Sequence, residues 1–130
     1  MAMDSNVSVF VRVRPLLATE CSGNLNGLVL SSTSPEQTPA VALKSSSPIG
    51  GFSGVLGQES DNRTVFERSF APRVETVLHG GTASLFCYGY TGSGKTHTVV
   101  GYGEPGMYHL AAERLLQQLQ EMGHKDLFLR

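Results

Sequence analysis

The sequence predicts an α/β fold, and three observations carry that prediction. Val7, Val9, Val11 and Val13 alternate with Ser8, Phe10, Arg12 and Arg14, the period of two of a pleated strand. Phe66, Phe70, Val74, Val77 and Leu78 recur at helical spacing and make one apolar face. A glycine-rich loop sits between the apolar run Ala83–Tyr88 and a helix that starts at Lys95. The 130 residues fit one domain, since domains average roughly 100–200 residues.

Composition narrows the function classes. Forty per cent of residues are hydrophobic and 16% are charged, which excludes a chain held open by charge repulsion. The formal net charge of −1 offers no basic surface for nucleic acid or an anionic membrane. The longest apolar runs, such as Ala40–Leu43 and Leu85–Tyr88, are far short of the ~20 residues of a membrane span. Met1-Ala2-Met3-Asp4 carries neither a basic patch nor an apolar run, so a cytoplasmic protein is expected. Cys21 and Cys87 then read as free thiols, and no Cys or His spacing suggests zinc.

The elements follow in order. Residues 7–15 read as a strand that Pro15 stops, because proline cannot donate to a ladder. Residues 18–60 form a loop-rich excursion. Between 31 and 60, 17 of 30 residues are Ser, Thr, Pro or Gly, so only Leu28–Leu30 and Val41–Leu43 suggest short strands, as a hairpin or within a disordered excursion. Residues 61–79 read as a helix capped by Asp61 or Asn62. Pro72 interrupts its pattern and predicts a kink or break, and Gly80-Gly81 ends it. Ala83–Tyr88 suits a fully buried strand, although its periodicity also fits a buried helix. A short helix from Lys95 must end before Gly101 and Gly103. Met107–Met122 is a second clear helix, with Pro105-Gly106 before it and Gly123 after it. Its stripe Tyr108, Ala112, Leu115, Leu119 and Met122 reads as core packing, and Gln117–Glu121 as a solvated face. His109 and Glu113 read as a surface pair, and Leu127-Phe128-Leu129 as the start of a strand.

Gly89-Tyr90-Thr91-Gly92-Ser93-Gly94-Lys95-Thr96 fits GxxxxGK[ST] at every fixed position. A phosphate chain carries several negative charges and needs many donors at close range. Glycines let the backbone curl so that successive N–H groups point inward. The following helix adds the positive end of its dipole. In such a loop the Lys95 ammonium reaches the β- and γ-phosphates and the Thr96 hydroxyl ligates Mg²⁺.

The stretch Tyr88–Thr98 resembles the phosphate-binding loop of the kinesin motor domain, which typically reads YGQTGSGKTxTM. Val7–Leu16 is similar to that family's first strand, which ends in RxRP. Phe52–Leu56 looks like a degenerate FDxVF strand, and Val65–Arg68 and Val77–Gly80 lie at the family's spacing before the loop. Kinesins often carry a proline where Pro72 falls, and Gly106–Ala112 resembles the start of their next helix. The match covers most of the chain apart from roughly residues 18–50. Tyr90 replaces the usual glutamine, Val99 a methionine, and Gly81-Thr82-Ala83 the usual tyrosine and asparagine.

The resemblance implies a P-loop NTPase of the kinesin type, here the N-terminal part of its motor domain over residues 1–130, with an incomplete central sheet. It implies ATP and Mg²⁺ as cofactors, held by Gly89–Thr96, and microtubules as the partner. It also implies that Arg12, Arg14 and Pro15 line the adenine pocket, with His97 near the base from the other side. Guanidinium planes and a proline ring suit stacking on a purine. The family's catalytic motifs, NxxSSRSH and DxxGxE, do not occur, so no catalytic residue is assigned. The main microtubule-binding elements are expected beyond Arg130, and an isolated piece is expected to be marginally stable, with an open apolar sheet edge. Two other readings stand beside the cytoskeletal motor. One is a truncated module that binds nucleotide without hydrolysis, and the other is an unrelated P-loop enzyme, whose loop usually lies close to the N-terminus.

Overall fold

The computed structural model describes residues 7–15, 17–18, 28–31, 40–43 and 49–123. The chain forms two compact units, residues 1–60 and 61–130. The expected strand at Leu127–Leu129, together with Cys21, lies outside the described residues.

Among the described residues the first unit holds two two-stranded sheets. β1 (Phe10–Arg12) pairs in parallel with β4 (Gly54–Leu56), with Phe10 opposite Gly54 and Arg12 opposite Leu56. Parallel strands cannot be joined by a tight turn, so a long crossover separates them. Hydrogen bonds extend the pairing at both ends, from Ser53 N to Val9 O at 2.7 Å and from Val13 N to Leu56 O at 2.9 Å. The regular strand is nevertheless shorter than the alternation over 7–15 predicts. Val7 and Val9 are exposed, so the alternation runs on past the regular strand onto the surface. β2 (Leu28–Ser31) and β3 (Ala40–Leu43) form the antiparallel hairpin, with Leu28 opposite Leu43.

Among the described residues the second unit is built on four helices and the loop. α1 (Asn62–Ser69) begins at Asp61, whose Oδ1 accepts from Thr64 N at 2.7 Å. Asp61 is therefore the cap, and Asn62 is the first helical residue. The expected interruption is a full break. α1 ends at Phe70, with φ −120° and ψ −25°, and α2 (Ala71–Leu78) starts at once. Pro72 then falls in the first turn of α2, where its missing N–H has no helical acceptor to lose. One interior proline has thus become a start signal. Past α2, Gly81 N donates to Thr76 O at 2.9 Å, as a terminal glycine pair predicts.

α4 (Met107–Glu121) packs against α1 and α2. The core of this unit is Val65, Phe66, Ala71, Val74, Met107 and Leu110. The buried face of α4 is rotated from the predicted stripe. Tyr108, Ala112 and Met122 are exposed, Leu115 and Leu119 are half-buried, and Met107 and Leu110 point inward. Arg114 explains part of the difference. Its guanidinium lies 5.9 Å from the Phe66 ring centroid and pairs with Glu67, so a residue read as polar covers the core. Glu113 pairs with Arg63 at 3.4 Å on the surface, and His109 is exposed.

Residues 83–88 do not form the predicted buried strand. Phe86 is 89% exposed and Tyr88 fully so. A strand is buried on both faces only when neighbours pair with it and cover it, and no strand among the described residues pairs here.

The core assignment predicts an order of stabilities in urea unfolding. Phe66→Ala removes a fully buried ring and should cost about 3–5 kcal/mol. Asp61→Ala should cost about 1 kcal/mol through the lost cap. Val77→Ala, on the exposed side of α2, should stay within about 0.5 kcal/mol.

Candidate functional site

The loop follows residues 83–88 and runs into α3 (Lys95–Val99). Gly92 and Gly94 have φ of 83° and 93°, in the left-handed region where a side chain is strained. These two reversals curl the loop, and Ser93 N folds back onto Tyr90 O at 3.0 Å. Gly94 serves as the N-cap of α3 without any side-chain cap. The first N–H groups of a helix have no intrahelical acceptor, so the start of α3 is a natural place for an anion.

Thr91, Gly92, Gly94, Lys95, Thr96 and His97 line one cavity of about 340 Å³. Lys95 Nζ donates to two carbonyls of the same loop, Gly89 O at 2.7 Å and Tyr90 O at 2.9 Å. The ammonium is therefore folded against the loop it belongs to. Thr96 is exposed, with its position at the helix start fixed by α3. The Tyr90 ring is 89% exposed, so it stands in solvent while its carbonyl faces the loop.

The far side of α3 is held by residues that motif spacing did not single out. Asn62 is completely buried at the start of α1. Its Nδ2 donates to His97 O at 2.9 Å and to Pro105 O at 3.1 Å. Its backbone N donates to Glu104 Oε2 at 3.1 Å. The other Glu104 oxygen lies 3.5 Å from His97 Nε2. The chain turns back sharply after α3. Gly101, with φ 96°, approaches so closely that a Cβ there would collide with Glu104 O and Gly106 N. The only sequence sign of Asn62 was its fitness as a cap, and Asp61 takes that role. Glu104 gave no sign of its own.

Of the residues tied to the site by sequence, Gly89–His97 come together in this way. Arg12, Arg14 and Pro15 belong to the other unit. There Arg12 Nη2 donates to Ser60 O at 2.8 Å, Arg14 Nη1 to Pro15 O at 2.9 Å, and Pro15 is exposed.

Residues 12–129 match the kinesin motor domain. The chain belongs to the kinesin motor-domain family. It is 38% identical over 132 aligned residues to Kinesin-like protein klp-20 of Caenorhabditis elegans, covering 95% of this chain and 20% of that protein. It is 36% identical over 102 residues to Kinesin-like protein cut7 of Schizosaccharomyces pombe, covering 75% of this chain and 9% of that protein. The motor domain structure of the Kar3-like kinesin from Ashbya gossypii superposes with a TM-score of 0.76 at 23% identity, over 92% of this chain and 39% of that one. The fold is therefore a partial kinesin motor fold, with a short parallel sheet in one unit and helices in the other. The chain spans a fifth or less of the length of these curated relatives.

Within this kinesin-family chain the loop glycines differ in what they tolerate. Gly92 faces open space, so Gly92→Ala should cost about 1–2 kcal/mol from backbone strain alone. Gly101→Ala adds a collision with backbone atoms and should cost about 2–5 kcal/mol. Comparing their urea midpoints checks this order.

Proposed function

We propose that this chain is the ATP-binding portion of a microtubule-based kinesin motor. The observation that carries the reading is the curled loop 89–96, with Lys95 and Thr96 at the start of α3, in a chain of the kinesin family. The donor set suits a polyphosphate with Mg²⁺. Lys95 brings a cation, Thr96 a hydroxyl, and the loop and helix start bring N–H groups. Bound Mg-ATP supplies the phosphoanhydride whose cleavage drives movement in the complete protein.

The residues of this chain act by holding. The loop N–H groups and the α3 terminus would donate to phosphate oxygens, and Lys95, which here donates to Gly89 O and Tyr90 O, would bring its ammonium to the same anion. Thr96 would hold the Mg²⁺ through its hydroxyl oxygen. Arg12, Arg14, Pro15 and His97 enter the proposal as the adenine contacts, on the strength of the family resemblance. The motifs NxxSSRSH and DxxGxE do not occur in these residues, so turnover by them alone is not proposed. Microtubule binding is assigned to surfaces mostly outside these 130 residues, and the place of work is the cytoskeleton. Among the described residues no helix is long and apolar enough to cross a membrane.

Calorimetric titration of the 130-residue chain with Mg-ATP tests the reading. Lys95→Ala should weaken binding about 10- to 100-fold, as expected for losing charge-assisted hydrogen bonds. Thr96→Ala should weaken binding with Mg²⁺ present and leave binding in excess EDTA unchanged. Equal affinity of the Lys95→Ala and parent chains would refute the assignment.

A further inference from the structure

α3 has five residues, fewer than an isolated helix needs to persist in water. Lys95 and Thr96 occupy its first turn, so their direction depends on whatever holds the helix from behind. The contacts behind α3 identify a holder. Asn62 projects from the first position of α1, a helix whose Val65 and Phe66 are sunk in the core. Its carboxamide bridges two carbonyls, one within α3 at His97 and one at Pro105 in the segment that returns from α3. A helix this short leaves its carbonyls without intrahelical donors, and buried carbonyls must be paired. Glu104 closes the connection by accepting from Asn62 N and facing the His97 ring.

We infer that Asn62 is a positioning residue for the phosphate-binding loop. Its side chain registers α3 against the core helix α1, and Glu104 completes the link. The inference rests on the nucleotide-binding reading for its effect on affinity, while the geometric claim stands on the hydrogen bonds alone. Aspartate has the shape of asparagine but no N–H. At position 62 it would turn a carboxylate toward His97 O and Pro105 O, whereas glutamine keeps the donor with one extra methylene.

The test uses the 130-residue chain, ¹⁵N-labelled, in four variants: Asn62→Asp, Asn62→Gln, Glu104→Ala and, as a control on the exposed side of α1, Arg63→Ala. Amide spectra are recorded without nucleotide, and Mg-ATP is then titrated by calorimetry. Asn62→Asp should displace the amide signals of Gly92–Thr96 and weaken Mg-ATP about tenfold. Asn62→Gln should recover to within about threefold of the parent, and Arg63→Ala should match it. If Asn62→Asp does not fold, Glu104→Ala carries the test, with the same amides displaced and about threefold weaker binding. A variant that melts earlier, yet keeps the loop amides in place and binds Mg-ATP as the parent does, overturns the inference. Failure of the nucleotide reading looks different. Lys95→Ala would then bind Mg-ATP as well as the parent, and the nucleotide-free spectra would still decide the role of Asn62.

Discussion

A helix of five residues cannot keep its own shape, and the rest of this site depends on that constraint. α3 has too few internal hydrogen bonds to offset its backbone entropy. Its stability must come from neighbours on both sides. In front, the loop closes on itself through Ser93 and Lys95. Behind, Asn62 and the tight return at Gly101 grip its carbonyls and its end. The core of Phe66, Val74, Met107 and Leu110 therefore acts on the site at one remove. It fixes α1, and α1 presents Asn62.

The legible parts of the chain were those written in local chemistry. GxxxxGK[ST] places a loop and a helix because its second fixed glycine, Gly94, takes a left-handed backbone that side chains resist, and Gly92 does the same within the loop. Pro72 announces a break because its ring and missing N–H act within one turn. The end of α2 at Gly80-Gly81 and the short span of α3 follow from the same local rules. The hairpin Leu28–Ser31 with Ala40–Leu43 stood out as two apolar patches in a field of turn formers.

What escaped was non-local. Asn62 and His97 lie 35 positions apart, and no periodicity connects a buried carboxamide to a carbonyl at that distance. The α4 face was misjudged because Arg114 shields Phe66 with a side chain that hydropathy counts as polar. Residues 83–88 read as buried from composition alone, but burial of a strand is a property of its neighbours. Phe86 and Tyr88 are exposed for that reason and not through any fault in their local pattern.

The self-bonded Lys95 has a bearing on which anions can compete for the loop. Its ammonium already has two oxygen acceptors, supplied at the right spacing by Gly89 and Tyr90. An incoming anion gains from the cation only the difference between its own oxygens and these. A chloride or a lone carboxylate replaces little. A chain of phosphates surrounds the ammonium and the loop N–H groups together, so each contact made lowers the cost of the next. Under the proposed nucleotide role, the internal bonds would favour anions of high charge density and long reach, and their acceptors are backbone carbonyls that stay in place when other loop side chains change.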